Sequence, residues 1–380
     1  MLSLFFSLLG VFLSITIDDV KSKLLTLDQV RERLAVTEPL ATYDFDSEAR
    51  VAFRLEPDFN HGLKALPGNL PIPGYISIGQ TELQLTRDAL YEAAAAAKLV
   101  KGAVQTMPAN IVAEVLNWYY NSGSEGKEFK VLGIQGDKAA AITRGAVQPY
   151  SNLRLLETTL DGIEAKYGVG QVYADYKFVH DLQRTHMRLI IPEYVRTIEN
   201  TGTDNDTWSV GIQVKNSLTG LEQTEINGYL FRYWCTNGAI DTRNNSNAVW
   251  SRRGSAGRNE DAVFEWARDA VDEVLGGLEG SLDLVQQMTE IDIQGTAVEA
   301  LRDVFTTYRI PQAHRNRILG NMVNEDNLTM YSLMQAVTEA ANADNLSPAD
   351  IDRLMRAGGD LPEIANDRCD SCHRFMDHNH

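Results

Sequence analysis

The stretch Lys215-Asn-Ser-Leu-Thr-Gly220, followed by Gly228-Tyr-Leu-Phe-Arg-Tyr-Trp-Cys-Thr-Asn-Gly-Ala-Ile240, decides the fold. A strand places alternate side chains on opposite faces. Tyr229, Phe231 and Tyr233 therefore share one face, and Leu230, Arg232 and Trp234 the other. Asn237-Gly238 reads as a tight turn, because both residue types accept positive φ. Trp208–Val214 and Glu225–Cys235 pair as neighbouring strands, and so do Gln171–Val179 and Thr185–Ile191. Phe129–Ile134 and Ala139–Thr143 flank Gly136-Asp137 and predict a hairpin. Ser151 caps a helix over 152–167.

Towards the C-terminus the period becomes helical. Val263, Trp266, Ala267, Ala270, Val271 and Val274 fall at three-four spacing. Further helices are predicted near 298–308, 312–323 and 330–341. Another starts at Ser347-Pro348 and ends at Gly358-Gly359, and Gly276-Gly277 reads as a break in the first of them. Towards the N-terminus, Thr26-Leu-Asp-Gln29 is a capping-box pattern for a helix to Ala35. Residues 43–55 alternate as extended structure, 87–100 are helical, and Pro108 opens a helix to Tyr120. Pro57, Pro67, Pro71 and Pro73 read as a loop. The fold class expected is α+β: a central antiparallel sheet with flanking helices, followed by an acidic helical C-terminal region. The sections expected are a mostly helical 1–126, a β-rich 127–259, a helical 260–345 and a tail, 346–380, with Asn121–Gly126 as the first boundary.

The 380 residues carry a net charge of -17, which argues against coating duplex DNA through bulk charge. From Glu260 to His380, 23 acidic residues stand against nine arginines and no lysine. Such a surface suits concentrated salt, as in a halophile, or simply marks an acidic helical domain. Three cysteines exclude a disulfide scaffold. The apolar run Met1–Ile17 lacks a basic region and a cleavage site. It reads as a buried element, an over-called start, or an anchor, and the protein is expected to be soluble in a host cytoplasm with no membrane. No Gly-x-x-x-x-Gly-Lys-Ser/Thr loop, Gly-x-Ser-x-Gly elbow or His-Glu-x-x-His occurs, so an ATP-driven or hydrolytic enzyme is not supported.

The segment quoted first resembles a phage/plasmid-like family known as domain of unknown function 932. That family carries an Asn-Ser-x-x-Gly turn, then a strand ending Arg-x-x-Cys-x-Asn-Gly, matched here by Arg232, Cys235, Asn237 and Gly238. Tyr150 and Asn152 resemble its tyrosine–asparagine segment. Its downstream Arg-His-Thr element is replaced by Ser251-Arg-Arg-Gly254, without the histidine. The resemblance covers roughly residues 128–290. It implies a mobile-element context and no established activity.

Two chemistries are expected from the residues. Tyr229, Phe231 and Tyr233 beside Arg232 could stack unpaired bases and hold phosphates. Arg243, Arg252, Arg253 and Arg258 make a local excess of positive charge in the loop that follows. Phage single-strand annealing proteins combine a sheet face, a basic groove and a following helix. By that analogy the expected partner is single-stranded DNA, bound by a homo-oligomer; a buried aromatic face under a helix is the other reading. At the C-terminus, Cys369, Cys372, His373, His378 and His380 are crowded enough to hold zinc as S₂N₂, although Cys-x-x-Cys-His also spells a haem attachment. Cys235 with His180 or His186, and Asp175, Asp181 and Glu193 around magnesium, are weaker catalytic candidates.

Overall fold

The computed structural model describes residues 17–361, apart from 40, 46–49, 67, 124–126, 135, 145–148, 169–170, 176, 178, 181–183, 203–205, 221, 234–237, 242–248, 251–259, 294–295, 323–327 and 344–345. The chain enters through α1 (Ile17–Lys21), β1 (Leu25–Thr26) and α2 (Leu27–Ala35). The Thr26 hydroxyl accepts from Gln29 N and the Gln29 side chain from Thr26 N, which is the capping box the sequence spells.

A first sheet follows: β2 (Ala41–Phe45), β3 (Val51–Leu55), β4 (Pro71–Ile78), β5 (Thr81–Thr86), β6 (Phe129–Ile134) and β7 (Lys138–Arg144). Its order is β2-β6-β7-β5-β4-β3, antiparallel except for the parallel pair β5–β7. Helices α3 (Arg87–Ala96), α4 (Lys101–Thr106) and α5 (Ala109–Trp118) close its core, with Phe53, Ile76, Leu85, Leu90, Val112 and Tyr120 buried between them. This section is as much sheet as helix, which corrects the expectation for 1–126. Pro71 and Pro73 misled it, because both stand inside β4. They occupy the stretch where β4 slips register against β5, between Pro71 and Tyr75. Pairing with β3 begins only at Gly74. A missing N–H costs least at such positions.

The edge strand β3 is closed by side chains. Asn117 accepts from Phe53 N at 2.6 Å and donates to Phe53 O at 3.1 Å. Asn121 does the same for Val51, at 3.1 and 2.8 Å. Four helical residues rise about 6 Å and two strand residues about 6.6 Å, so the asparagines stand in for a neighbouring strand. They blunt an edge that would otherwise invite pairing.

The second sheet contains β8 (Tyr173–Ala174), β9 (Val179–His180), β10 (Thr185–Ile198), β11 (Asp206–Asn216), β12 (Thr224–Arg232), β13 (Gly238–Asp241) and β14 (Val249–Trp250). Its order is β1-β8-β10-β11-β12-β13, with β9 on β10 and β14 on β12. Around it lie α6 (Asn152–Tyr167), α7 (Glu260–Met288), α8 (Ala297–Thr307), α9 (Gln312–Met322), α10 (Met330–Ala340) and α11 (Pro348–Gly359). α7 runs through Gly276-Gly277 without a break. At Gly162 a Cβ would come within 2.4 Å of Val271 Cγ1, so the glycine lets α6 approach α7 closely. Gly358 and Gly359 close α11, but they also serve packing: a Cβ on Gly359 would lie 2.0 Å from the Ile240 carbonyl oxygen of β13.

The α+β class holds. The expected boundary at 121–126 does not, because β6 and β7 complete the first sheet and the chain crosses over between Arg144 and Asn152. Val20, Leu24, Val30 and Leu34 join the core of the second sheet instead. Among the described residues no helix is long and apolar enough to cross a membrane.

Candidate functional site: a buried charged layer

Register places three rows of side chains on one face of the second sheet. His186, Lys215 and Glu225 form one row, Arg188, Gln213 and Asn227 the next, and Ile190, Gly211 and Tyr229 the third. Apart from Glu225 and the apolar Ile190, this is a polar face turned inward, since His186, Arg188, Gln213, Lys215, Asn227 and Tyr229 are all buried. Buried polar groups are costly unless bonded, and α11 supplies partners for Gln213, Lys215 and Glu225. Asp352 Oδ1 accepts from Gln213 Nε2 at 3.1 Å, and Oδ2 from Lys215 Nζ at 3.1 Å and Arg356 Nε at 3.0 Å. Arg356 also bonds Glu225. Burial alone would raise the Asp352 carboxyl, but Arg356, Lys215, His186 and Arg188 overcome it and hold it well below the usual carboxylate range.

Deeper in the layer, Tyr229 donates to Asp175 Oδ2 at 2.7 Å, and the Lys177 amide donates to Oδ1 at 3.0 Å. In a flat sheet β8 and β12 would stand about 14 Å apart, three strand spacings, so this bond requires the sheet to curl. Arg188 Nη1 donates to the Lys177 carbonyl at 3.1 Å. His186 Nε2 lies 2.6 Å from Glu222, whose second oxygen is 2.8 Å from Arg184 Nε.

The opposite face carries a second network. Arg232 grips Asp206 with both prongs, Nε to Oδ1 at 2.7 Å and Nη2 to Oδ2 at 2.6 Å, and donates Nη1 to Gln335 of α10 at 2.7 Å. Tyr331 of α10 donates to Asp206 Oδ2 and accepts from Trp208 Nε1 at 3.2 Å. Burial pushes the Tyr331 hydroxyl far above its ordinary range. A bidentate arginine–carboxylate pair of this kind pins a helix to a sheet and orders both.

The geometry corrects the proposed binding face. Tyr229, Phe231 and Tyr233 are buried, and Tyr233 donates to the Pro192 carbonyl at 2.8 Å. Their rings pack in sequence, with centroids 6.3 and 6.0 Å apart. Arg232 is buried and ion-paired. None of the four offers a surface to a base or a phosphate. The residues that carry the family resemblance act as ties: Asn216 Nδ2 donates to the Tyr150 carbonyl at 2.9 Å and to Asn152 Oδ1 at 2.8 Å. Asp175 lies in the buried layer while Glu193 pairs with Lys21 at the surface, so those two carboxylates are not gathered around an ion. Arg243, Arg252, Arg253, Arg258, Asp181, Cys235 and the ligand cluster Cys369, Cys372, His373, His378 and His380 lie outside the described residues. Among the described residues no three His, Cys, Asp or Glu side chains are placed to hold a metal.

The sequence reading missed Arg188, Gln213, Asp352 and Arg356. The first two alternate with apolar neighbours, which is also the pattern of a half-exposed strand. α11, which bonds Gln213 and Lys215 on that face, arrives from more than a hundred residues away. No family model matches the chain, and no match is found among curated proteins or among solved structures.

Proposed function

We propose that this chain is a structural or interaction protein of a phage- or plasmid-type element that works through protein contacts, without holding nucleic acid on its sheet. The observation that carries this reading is the burial of Tyr229, Phe231, Tyr233 and Arg232 together with the ion pair between Arg232 and Asp206. Both faces of β12 are thereby committed to the interior. The resemblance around Arg232-x-x-Cys-x-Asn-Gly supports the mobile-element context. On α5, Ile111 and Trp118 stand exposed at a seven-residue spacing that puts them on one face, Trp118 at 65%. Exposed aromatic side chains of this kind are preferred anchors in protein interfaces. The acidic helix α7, with eight carboxylates against one arginine, favours a basic partner surface over a polyanion. Action in a host cytoplasm as a homo-oligomer, with the cysteine–histidine tail holding zinc, belongs to the same reading.

One feature favours a second reading, single-strand DNA binding. Arg243, Arg252, Arg253 and Arg258 fall in and just after the connection between β13 and β14, and a long helix follows the antiparallel strands β10–β12. Fluorescence anisotropy of labelled single-stranded and duplex oligonucleotides across a salt series separates the two. The first reading predicts no saturable binding at any salt. Saturable single-strand binding that falls when Arg252→Ala is combined with Arg253→Ala removes it and installs the second.

A further inference from the structure

One edge of one arginine in the buried layer stands apart. Arg188 is 0% exposed, and its Nε and Nη2 are buried with no acceptor among the protein atoms. The neighbouring acceptors are taken. Asp175 receives Tyr229 and the Lys177 amide. Gln213 Oε1 receives Asn227 Nδ2 at 3.2 Å. Asp352 receives Gln213, Lys215 and Arg356. Lys215 and Arg356 are each salt-bridged to Glu225 and Asp352. Arg188 has no such bridge, so among the described residues it is the cation of the layer that no carboxylate touches.

Nε and Nη2 are the parallel donors with which arginine grips two oxygens of one oxyanion. A buried, ionised donor left unmade costs more than a neutral one, so this edge calls for an acceptor. Two residues back on the same face, about 7 Å by the strand rise, His186 Nδ1 is also buried and unpartnered. Its Nε2 donates to the Glu222 carboxylate at 2.6 Å, which fixes Nδ1 as the nitrogen left for something else. In the neutral ring Nδ1 accepts, and in the charged ring it donates. Hydrogen phosphate offers both complements, with oxygens for the fork and a hydroxyl or an oxygen for Nδ1.

We propose that the Arg188 fork and His186 Nδ1 form a buried site for a small phosphate-type oxyanion, beneath the helix that carries Asp352 and Arg356. Entry then requires α11 to lift from the sheet. The site stands independently of the interaction reading, since it needs no macromolecular partner.

The test uses the full chain and two probes. Inorganic phosphate is titrated at constant ionic strength against sodium chloride while the thermal unfolding midpoint is followed, and monofluorophosphate is titrated by ¹⁹F NMR. In the wild type the midpoint rises with the logarithm of phosphate above the dissociation constant and not with chloride. The fluorine resonance broadens or shifts and recovers when phosphate is added. In Arg188→Lys, which keeps the charge and loses the fork, both responses weaken by about tenfold or more. His186→Phe, which keeps the fork, weakens them less. A wild type that responds to phosphate no more than to chloride, as it would if water filled the fork, overturns the proposal. So does an unchanged fluorophosphate affinity in Arg188→Lys or, if that variant fails to fold, in His186→Phe.

Discussion

Replacing Arg232 with methionine separates an interior arginine from a surface one. Methionine keeps most of the stem volume and removes the charge, so little cavity is created. What remains is Asp206, 0% exposed, stripped of the two guanidinium contacts at 2.7 and 2.6 Å and left with Tyr331 as its side-chain partner. Gln335 loses its own 2.7 Å contact. Breaking a buried pair from one side costs about 3–5 kcal/mol, because the surviving charge is uncompensated. With an m-value of about 3 kcal/mol/M in urea, that moves the unfolding midpoint of the second-sheet region down by about 1–1.7 M. The assay is equilibrium urea unfolding followed by tryptophan fluorescence, with Trp208 reporting from inside the network through its bond to Tyr331. The double variant Asp206→Leu with Arg232→Met removes both charges and is predicted to be more stable than Arg232→Met alone. A loss below about 1 kcal/mol in the single variant, the range of an exposed pair, would refute the burial of this strand. So would a double variant as damaged as the sum of the two singles.

Three further outcomes follow from other parts of the molecule. Gly359→Ala places a Cβ 2.0 Å from a backbone oxygen of β13, where no side chain can yield; α11 should lift, and limited proteolysis should cut within 348–361 faster than in the wild type. His180 is half-buried between Thr37 and Thr185, and desolvation lowers its imidazole to about 4. The unfolded chain then takes up a proton near pH 6.5 that the folded chain refuses until about pH 4, so stability falls as pH drops through that window, by up to about 3 kcal/mol. His180→Gln should lose that part of the pH dependence, and urea midpoints compared at the two ends of the window check it; an identical fall in both proteins would count against it. If the tail holds zinc, metal analysis of the purified chain gives about one zinc per chain, and Cys369→Ser with Cys372→Ser abolishes it without shifting the main unfolding transition.

Much of the architecture is legible locally, because caps and hairpin turns act over a few residues. Thr26 and Ser151 cap the helices they were expected to cap, and Gly136 and Asp137, at φ +81° and +52°, turn the hairpin between β6 and β7. Helices α7–α11 form near where they were expected, with α7 running on through Gly276-Gly277. The failures come from distant contacts. Pro71 and Pro73 read as a loop until β3 and β5 are placed beside them with a slipped register. The linker-like Asn121–Gly126 reads as a boundary until Asn121 is seen bonded to Val51. Alternation sorted the side chains of β12 correctly into two faces. It carried no information on whether either face meets water, because an aromatic row is equally suited to stacking bases and to filling a core. The candidate site shows the same limit from the other side: Arg188 and Gln213 alternate with apolar neighbours as on a half-exposed strand, and Asp352, far along the chain, bonds Gln213 and Lys215 of that face into a buried layer.

The most direct measurement of the central claim is hydroxyl-radical footprinting of the native chain, read residue by residue. With the two faces of β12 enclosed, Tyr229, Phe231 and Tyr233 should remain unmodified under conditions that oxidise the exposed Trp118 rapidly, and should become reactive only on unfolding. Oxidation of those three rings at rates comparable to Trp118 in the folded protein would contradict it and return the strand to the surface as a place where nucleic acid could bind.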